Sequence, residues 1–407
     1  MKALIAGAGI GGLAAALALN QAGFEVELFE RSGSLGEVGA GVQVSPNGAR
    51  VLHALGLAPA LEAVAFRPQA VELRLYRSGL TVARTPLGAE IERRYGFPYY
   101  HLHRADLHGV LEAAVRERCG EGAMHLGREV EGFQQQDGEV ELVFSDGGRA
   151  RGDVAIGGDG IHSRVRAAML GPENPQFTGH VAWRGLVPAE RLHHAGVRPV
   201  VTSWMAPHSH AVTYFVRRGE LVNFVGVTEH EAWRGESWTE RGDKADLLRD
   251  FRGWHPTVRA IVEAIDEPYR WALFVRRPLP KWSEGRVTLL GDACHPMLPY
   301  MAQGAVMSIE DGYVLAQCLR MQRDDIPAAL AAYETLRAPR TAKVQAGAKA
   351  AGARFHLSDP LARLATYGKM GLAARISSQK AASANDWLMA YDATRQIAEG
   401  AAPVLAA

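Results

Sequence analysis

Residues 1–12, MKALIAGAGIGG, constrain the fold more than any other part of the sequence. The apolar run Lys2–Ala6 predicts a strand, and the alanine- and leucine-rich run after the glycines predicts a helix. Between them, Gly7 allows a tight turn, Gly9 lets the backbone approach a pyrophosphate, and Gly12 lets the helix pack closely on the strand. The N-terminus of such a helix carries a partial positive charge that favours phosphate. The pattern therefore predicts the start of a nucleotide-binding βαβ unit.

A carboxylate stands where such a unit places its ribose ligand. The second apolar run, residues 24–29, ends at Glu30, which lies 23 positions after Gly7. A carboxylate about 20 residues beyond the first glycine hydrogen-bonds ribose hydroxyls in dinucleotide-binding folds. The alternative is a strand-end charge that only faces solvent. The spacing favours the ribose role.

Composition is that of an ordinary globular protein. The chain has 407 residues, 47% hydrophobic and 22% charged, so it can bury a large core and form more than one domain. A net charge of +1 gives no overall attraction to nucleic acid or to an anionic membrane, and we expect neither partner. We find no signal-peptide pattern and no charge-free apolar stretch of the roughly 20 residues that cross a bilayer. We expect a cytoplasmic protein.

Cysteine and histidine spacing argues against disulfides and metal. The three cysteines form no CxxC pair, which is typical of a reducing compartment. The pairs His101-x-His103 and His208-x-His210 have no cysteine or acidic partner at metal-ligand spacing. We therefore predict no metal site.

The middle of the chain is rich in β-branched and aromatic runs, which predict strands of an antiparallel sheet. These runs are residues 70–76, 140–144, 200–204, 211–216 and 221–227. From Gly304 onward the sequence is rich in alanine and leucine and predicts helices, for example over residues 327–336 and 344–353.

This order of segments predicts an α/β fold, α+β overall, in which a substrate-binding antiparallel sheet is inserted into a Rossmann-like nucleotide-binding domain. The nucleotide-binding domain is predicted to comprise residues 1–70, 99–175 and 271–345. The sheet domain would comprise residues 71–98 and 176–270, and residues 346–407 would form a helical C-terminal region.

A second glycine segment, GGDGIHSRVR at residues 157–166, follows a predicted strand at residues 153–156. Its glycines would let backbone approach a ligand, while Ser163, Arg164 and Arg166 supply polar and cationic groups. Alone, the segment is also typical of a turn with a solvated basic face.

A third segment, GDACHP at residues 291–296, follows the apolar run 287–290. Asp292 would lie at the carboxyl end of a strand, where doubly wound sheets contact their ligands. The alternative is that Asp292 merely caps a turn. Gln303 then precedes a helix starting near Gly304, whose N-terminal amides would stabilise negative charge on a bound ligand.

Together, the three segments resemble the single-component FAD-dependent aromatic hydroxylases, the family of para-hydroxybenzoate hydroxylase. That family carries a GxGxxG, a central DG segment and a GD segment ahead of a helix, in this order. Tyr333-Glu334-x-x-Arg337-x-x-Arg340 is similar to a helix motif of these enzymes, and the resemblance spans nearly the whole chain. The segment GDACHPMLPYMAQGA looks most similar to the branch of salicylate hydroxylase, 3-hydroxybenzoate 6-hydroxylase and 6-hydroxynicotinate 3-monooxygenase.

The resemblance implies FAD as the cofactor. The implied contacts are Gly7, Gly9, Gly12, Glu30, Arg104, Asp159, Asp292, Gly304 and Ala305. Since there is no second GxGxxG motif, NAD(P)H, with NADH slightly favoured, would bind transiently to reduce the flavin. The implied reaction is the hydroxylation of a small hydroxylated aromatic acid by O₂ through a flavin C4a-hydroperoxide. The implied assembly is a monomer or a homodimer.

The candidate substrate contacts lie mainly on one predicted strand. A strand period of two places His210, Val212 and Tyr214 on one face. Relatives carry the same His-x-x-x-Tyr pair in the substrate pocket, which implies that His210 helps to deprotonate a phenol, a task suited to a histidine pKa near ~6.5. The alternative is a structural strand histidine. Pro299 and Gln43 are further implied pocket residues.

Pro299 and Gln43 also indicate which aromatic acid is the substrate. Pro299 replaces a glutamine of the 3-hydroxybenzoate 6-hydroxylase pattern, and Gln43 replaces a histidine of the 6-hydroxynicotinate enzyme. Salicylate hydroxylases share the proline, so a salicylate-like hydroxybenzoate is favoured over hydroxynicotinate or 3-hydroxybenzoate. Two alternatives are another flavin reaction, such as halogenation, for which no WxWxIP-like segment is present, and a non-catalytic nucleotide-binding regulator.

Overall fold

The structure, a computed structural model, describes residues 1–36, 40–173, 175–230, 241–376 and 385–396. The strands are β1 Lys2–Ala6, β2 Glu25–Glu30, β3 Gly41–Val44, β4 Ala70–Leu75, β5 Thr81–Pro86, β6 Tyr100–His103, β7 Met124–Leu126, β8 Val130–Gln136, β9 Glu139–Phe144, β10 Arg149–Gly152, β11 Val154–Gly157, β12 Gln176–Pro188, β13 Val201–Ala206, β14 Ser209–Val216, β15 Leu221–Glu229, β16 Tyr269–Val275, β17 Ser283–Glu284 and β18 Val287–Leu289.

Helices cover the sheets and form the end of the chain. They are α1 Ile10–Gln21, α2 Pro46–Ala54, α3 Ala58–Val64, α4 Ala89–Tyr95, α5 Arg104–Cys119, α6 Arg164–Leu170, α7 Lys244–Asp250, α8 Pro256–Ala264, α9 Gly304–Met321, α10 Ile326–Phe355, α11 Pro360–Ile376 and α12 Asp386–Met389. Short 3₁₀ turns lie at Glu121–Ala123, Ala189–Ala195, Arg217–Gly219, Gly291–Ala293 and Pro299–Met301. Among the described helices, none has the length and apolarity that a membrane crossing requires.

The nucleotide-binding half is a six-stranded sheet of order β17-β18-β11-β1-β2-β7. Its strands run parallel except for the edge strand β17. Residues 3–6 of β1 are buried between α1 and a three-stranded antiparallel sheet of β8, β9 and β10. Burial on both faces explains why β1 is a continuous apolar run. The predicted strand 140–144 belongs to this small sheet, because β9 pairs with β8 and β10. Its Phe144 packs on Phe29 of β2, with ring centroids 4.8 Å apart.

The second half is a seven-stranded sheet of order β16-β12-β15-β14-β13-β4-β5, antiparallel except between β13 and β4. Its strands come from two separate stretches of the chain, as expected for a sheet inserted into the nucleotide-binding fold. The predicted fold class is therefore confirmed. β16 spans the expected boundary at 270/271 and pairs with β12, so the sheet extends to Val275.

The two helical stretches expected at residues 327–336 and 344–353 form one helix, α10. Pro339 lies inside it and removes one backbone donor, which normally bends or ends a helix. The helix continues because Arg337 and Arg340, on either side of the proline, each bond the Glu310 carboxylate of α9 at 2.7 Å.

The glycine turn between β1 and α1 has the packing expected from its sequence. Gly7 adopts a φ of +99°, which side-chain-bearing residues rarely adopt. A Cβ on Gly12 would lie 2.0 Å from the carbonyl oxygen of Gly7, so only glycine lets the helix start this close to the strand.

A cluster of five buried ionisable side chains holds α9 and α10 together. Arg337 donates from Nη1 to Glu310 and from Nε to Asp311, both at 2.7 Å, and none of the three is solvent-exposed. Arg340 donates to Glu310, and His295 Nε2 lies 2.5 Å from Asp311 Oδ2. Burial alone would raise the pKa of Asp311, but His295 and Arg337 hold it at about 2. The Asp311 carboxylate therefore stays charged and paired.

We expect Arg337→Met to be strongly destabilising. The substitution keeps much of the side-chain volume but leaves the Glu310 and Asp311 carboxylates buried without their main counter-charge. Breaking a buried pair in this way typically costs about 3–5 kcal/mol. Urea unfolding followed by circular dichroism would measure it.

Arg116→Met is the matched control. Arg116 pairs with Glu112 and Glu121 at the surface, so its loss should cost less than about 1 kcal/mol. Equal midpoints for Arg337→Met and Arg116→Met would mean that the buried cluster does not stabilise the fold.

Candidate functional site

A cavity of about 1140 Å³ lies between the carboxyl ends of the parallel strands and one face of the seven-stranded sheet. Ten of the residues singled out from the sequence line it: Gly9, Gln43, Arg104, Asp159, His210, Tyr214, Asp292, Pro299, Gly304 and Ala305. The three glycine segments and the His-x-x-x-Tyr strand thus meet at one site, although up to about 300 residues separate them in the sequence.

Three predicted site residues do not line the cavity: Gly7, Gly12 and Glu30. They lie behind Gly9, which lines the end of the cavity called here the nucleotide end. Glu30 accepts hydrogen bonds from the backbone N–H groups of Ala8 and Ser32, each at 2.9 Å. The carboxylate is therefore fixed beside the glycine turn. Its role as a ribose ligand stays a prediction.

The nucleotide end of the cavity suits a pyrophosphate. Gly9 is the N-cap of α1 and lines the cavity, and a Cβ on Gly9 would meet no protein atom within 4 Å. A side chain at this position would therefore enter the cavity rather than clash with the fold. The helix N-terminus supplies unpaired amides and partial positive charge at the same place.

Two aspartates face the middle of the cavity. Asp159 Oδ2 accepts from the N–H groups of Arg164 and Val165 at 2.7 and 3.2 Å and so caps α6. Its other oxygen, Oδ1, is buried with no hydrogen-bond partner among the described residues. Burial raises the pKa of Asp159 and of Asp292, the latter against the opposing charges of His295 and Arg104. A polar ligand group would satisfy the free oxygen of Asp159.

The first turn of α9 borders another part of the cavity, where the flavin ring is predicted to bind. Gln303, Gly304, Ala305 and Ser308 line the cavity there. Gln303 Nε2 donates to Ser45 Oγ at 3.0 Å, and its Oε1 accepts from Asn47 at 3.2 Å. These buried bonds hold the helix start rigidly against α2. The unpaired oxygen of Asp159, the glycine at the N-terminus of α1 and the amides at the start of α9 together fit an extended dinucleotide such as FAD.

One face of β14 forms the opposite wall. His210, Val212 and Tyr214 all line the cavity, which confirms the period of two expected for this strand. Burial raises the pKa of Tyr214 and keeps its phenol neutral. Gln43 accepts from Tyr99 at 2.8 Å beside it.

His210 is a neutral histidine in this wall. It is 2% exposed, and burial, with the nearby His356 and His180, lowers its pKa well below the usual value. Its Nδ1 lies 2.7 Å from His356 Nε2. The pKa near ~6.5 that suited the expected base is therefore wrong for His210, because burial beside other histidines disfavours the charged form. The neutral imidazole keeps a lone pair that can accept a proton.

Sequence reasoning missed the residues behind His210. His356 is at the end of α10 and Glu229 at the end of β15, and neither belongs to a motif. His208, which seemed to lack an acidic partner, lies 2.7 Å from Glu229, as folding brings the two strand ends together. Ligand atoms of His180, Glu229 and His356 come within 4.8 Å of one another, and within this group His356 hydrogen-bonds the Glu229 carboxylate at 3.0 Å. The expectation of no metal site stays a prediction.

Known proteins share this architecture. Residues 1–348 match the FAD binding domain family. The chain is 40% identical over 355 residues to a 3-amino-4-hydroxybenzoate 2-monooxygenase of Streptomyces platensis, covering 87% of this chain and 88% of that one. It is 39% identical over 346 residues to a 6-hydroxynicotinate 3-monooxygenase of Pseudomonas fluorescens, covering 84% and 88%.

A solved salicylate hydroxylase substrate complex superposes with a TM-score of 0.82 at 29% identity, covering 100% of this chain and 99% of that one. The predicted FAD cofactor and flavoprotein monooxygenase activity are confirmed. The alternative of a non-catalytic regulator is not supported, since these relatives are named monooxygenases and a hydroxylase.

We expect Gly9→Val to yield folded protein that does not retain FAD. The side chain would occupy the space for the pyrophosphate, and a loss of at least 100-fold in FAD affinity corresponds to about 2.7 kcal/mol. Absorbance at 450 nm, with circular dichroism for folding, would measure both properties. Gly109→Val is the control, because Gly109 lies on the exposed side of α5 with equal room for a Cβ. A fully yellow Gly9→Val protein would contradict the placement.

Buried neutral histidines should make the fold sensitive to mild acid. Burial lowers the pKa of His101 to about 3, while an unfolded histidine titrates near 6.5. Below pH 6.5 the unfolded chain therefore binds a proton that the folded chain does not bind. The free energy of unfolding consequently decreases as the pH is lowered. The slope is up to about 1.4 kcal/mol per pH unit for each such histidine.

Urea unfolding between pH 6.5 and 4.5 tests this expectation. His101→Phe should flatten the pH dependence by about one proton, whereas substitution of the exposed His194 should leave it unchanged. Parallel pH profiles for wild type and His101→Phe would mean that His101 is not neutral in the folded protein.

Proposed function

The chain belongs to the family of FAD-dependent aromatic monooxygenases, and we propose that it hydroxylates a small aromatic acid that carries a ring hydroxyl group. The observation that carries this proposal is His210, a buried neutral histidine on the wall of the cavity. A ring hydroxyl is activated by losing its proton, since a phenolate is a far better nucleophile than a phenol. The neutral imidazole of His210 has a lone pair that can accept that proton.

The names of the relatives narrow the substrate. 3-Amino-4-hydroxybenzoate and 6-hydroxynicotinate each carry a hydroxyl para to a carboxylate, and the enzymes named for them are 40% and 39% identical to this chain. We propose this para-hydroxy acid class first. A salicylate-like acid, favoured from the sequence, is the second candidate, because Pro299 lines the cavity and a salicylate hydroxylase aligns over the whole chain. Arg184 and Arg354 also line the cavity and give it the positive charge that suits an acid.

We propose that residues of the glycine segments, together with Glu30, Arg104 and the start of α9, hold FAD. Gly9 and the start of α1 would hold the pyrophosphate, Glu30 the ribose, Arg104, Asp159 and Asp292 the central part, and the backbone of Gly304 and Ala305 the flavin ring. When bound and reduced, FAD supplies the activated oxygen that hydroxylates the ring.

The protein's own groups then have three tasks. His210 takes the proton of the ring hydroxyl at its Nε2, and Tyr214, four residues along the same face of β14, orients the ring. Apolar side chains, including those of Val225, Val227 and Leu298, line the cavity and exclude water from the reacting atoms.

NAD(P)H as the reductant, with NADH favoured, and O₂ as the oxidant complete the proposal. The sequence contains one GxGxxG motif, so the nicotinamide cofactor would bind transiently at the mouth of the same cavity. A monomer or a homodimer stays the expected assembly, in the cytoplasm.

A substrate panel tests the proposed function. The FAD-loaded protein would be mixed with NADH or NADPH and 3-amino-4-hydroxybenzoate, 6-hydroxynicotinate, salicylate or 3-hydroxybenzoate, and products identified by mass spectrometry. We expect hydroxylated product from a para-hydroxy acid, with little H₂O₂. NADH oxidation that yields only H₂O₂ with every acid would contradict the proposal.

His210→Ala should slow ring hydroxylation by at least ten-fold while leaving flavin reduction nearly unchanged. General-base assistance is typically worth ~10²–10⁴-fold, and solvent can replace part of it. Stopped-flow absorbance would follow the two steps separately. His193→Ala is the control, because His193 is an exposed histidine outside the cavity. An unchanged hydroxylation rate and pH profile in His210→Ala would remove His210 from the reaction.

A further inference from the structure

A continuous row of hydrogen-bonded side chains runs from the cavity wall to the protein surface. His210 Nδ1 lies 2.7 Å from His356 Nε2, and His356 Nδ1 lies 3.0 Å from Glu229 Oε1. Glu229 Oε2 is 2.7 Å from His208 Nδ1. His210 as a whole residue is 2% exposed. The side chains of Glu229 and His208 are 36% and 61% exposed. The row therefore links the substrate side of the cavity to solvent.

The hydrogen bonds define where the protons sit. The Glu229 carboxylate can only accept, so His356 donates to it from Nδ1. His356 is then neutral with a lone pair on Nε2, and His210 must donate to that atom from its own Nδ1. This leaves the lone pair of His210 on Nε2, which has no hydrogen-bond partner among the described residues. His210 is thus held in the tautomer that can accept a proton.

The surroundings keep the row in this state. Burial lowers the pKa of His356 to about 4, and the neighbouring His180 adds to the effect. Burial would raise the pKa of Glu229, but the bonds from His208 and His356 keep it lowered. The other titratable groups facing the row are His180, which lies 3.9 Å from Glu229, and Tyr300, which contacts His180. Tyr300 stays a neutral phenol because burial raises its pKa.

We infer that His210, His356 and Glu229 form a proton relay that carries the proton of the substrate's ring hydroxyl to solvent. The inference rests on the proposed function, in which His210 is the base. The ring O–H bond breaks as its proton binds His210 Nε2, while the Nδ1 proton of His210 moves to His356 Nε2. The Nδ1 proton of His356 moves to Glu229, which releases it to water, and His208 holds the carboxylate in place.

Each histidine gains one proton and loses one, so neither becomes charged in the buried wall. The negative charge of the carboxylate reappears at the surface once the proton leaves, and the charge left behind is that of the phenolate. When the hydroxylated product takes up a proton, the same transfers run in reverse and restore the original tautomers. No redox co-reactant enters these steps. His356 is thus a relay residue that acts through His210.

A purely structural role for His356 makes a different prediction. His356 could simply orient His210, without passing a proton. Glutamine separates the two roles, because its Oε1 can accept from His210 and its Nε2 can donate to Glu229, yet an amide does not transfer protons at these rates. His356→Gln therefore preserves the hydrogen bonds and removes only the relay.

The experiment uses the full-length, FAD-loaded enzyme and the panel acid with the highest hydroxylation rate, beginning with 3-amino-4-hydroxybenzoate. Stopped-flow ultraviolet absorbance follows phenolate formation, and a pH-indicator dye follows proton release. We expect His356→Gln to slow both by at least ten-fold, with unchanged FAD content and flavin reduction. Added imidazole should restore proton release in His356→Ala, and His193→Gln should behave like wild type.

The outcomes separate the relay from the function itself. Wild-type phenolate formation and proton release in His356→Gln, with His210→Ala still impaired, would overturn the relay and leave the proposed base intact. Unchanged hydroxylation in His210→Ala, or no hydroxylated product from any panel acid, would instead overturn the proposed function. Slow proton release in Glu229→Gln, with normal substrate binding, would further support the path to the surface.

Discussion

The structure depends on one buried set of charges, the pairing of Arg337 with Glu310 and Asp311. The two carboxylates lie in α9 and the guanidinium in α10, all fully buried at 2.7 Å separations. Unpaired, any of them would be very costly to bury, so the two helices can adopt only the arrangement that pairs them. The backbone N–H of Gly291 donates to Asp311, and Asn47 donates to Glu310. The same charges therefore position the GD loop and the start of α2 at the cofactor cavity.

The seven-stranded sheet differs from this charged cluster in the electrostatic state of its buried polar side chains. The seven-stranded sheet contributes β14, where histidine and tyrosine side chains are buried rather than solvated. Burial without a counter-charge keeps such groups neutral, whereas the counter-charges beside Asp311 keep that buried carboxylate ionised. The site thus joins a charged region that holds structure to a neutral region with groups able to accept a proton. Aromatic hydroxylation needs both, because the cofactor must be held still while the ring hydroxyl is deprotonated away from water.

Local rules explain which elements the sequence predicted well. β1, α1 and β2 follow from apolar runs and a glycine turn, and their steric requirements involve atoms only a few residues apart, such as Gly12 and the Gly7 carbonyl. The alternation of His210, Val212 and Tyr214 follows from the pleat of a single strand. α10 was harder, since Pro339 argues for two helices when read locally. Its continuity depends on contacts with a different helix, which no window of the sequence contains.

The sequence by itself determined the nucleotide-binding turn, the order of the glycine segments and the strand face that carries His210, because each depends on backbone geometry over a few residues. Only the tertiary structure decided which of these groups meet and what surrounds them. His356 lies 146 positions from His210, and Glu229 lies 127 positions from His356, yet hydrogen bonds connect all three. The protonation state of a side chain depends on its burial and on the charges beside it. Burial and neighbouring charges are set by the three-dimensional fold and not by spacing along the chain. The neutral histidine and the hydrogen-bonded side chains behind it therefore form only when the two sheets enclose one cavity.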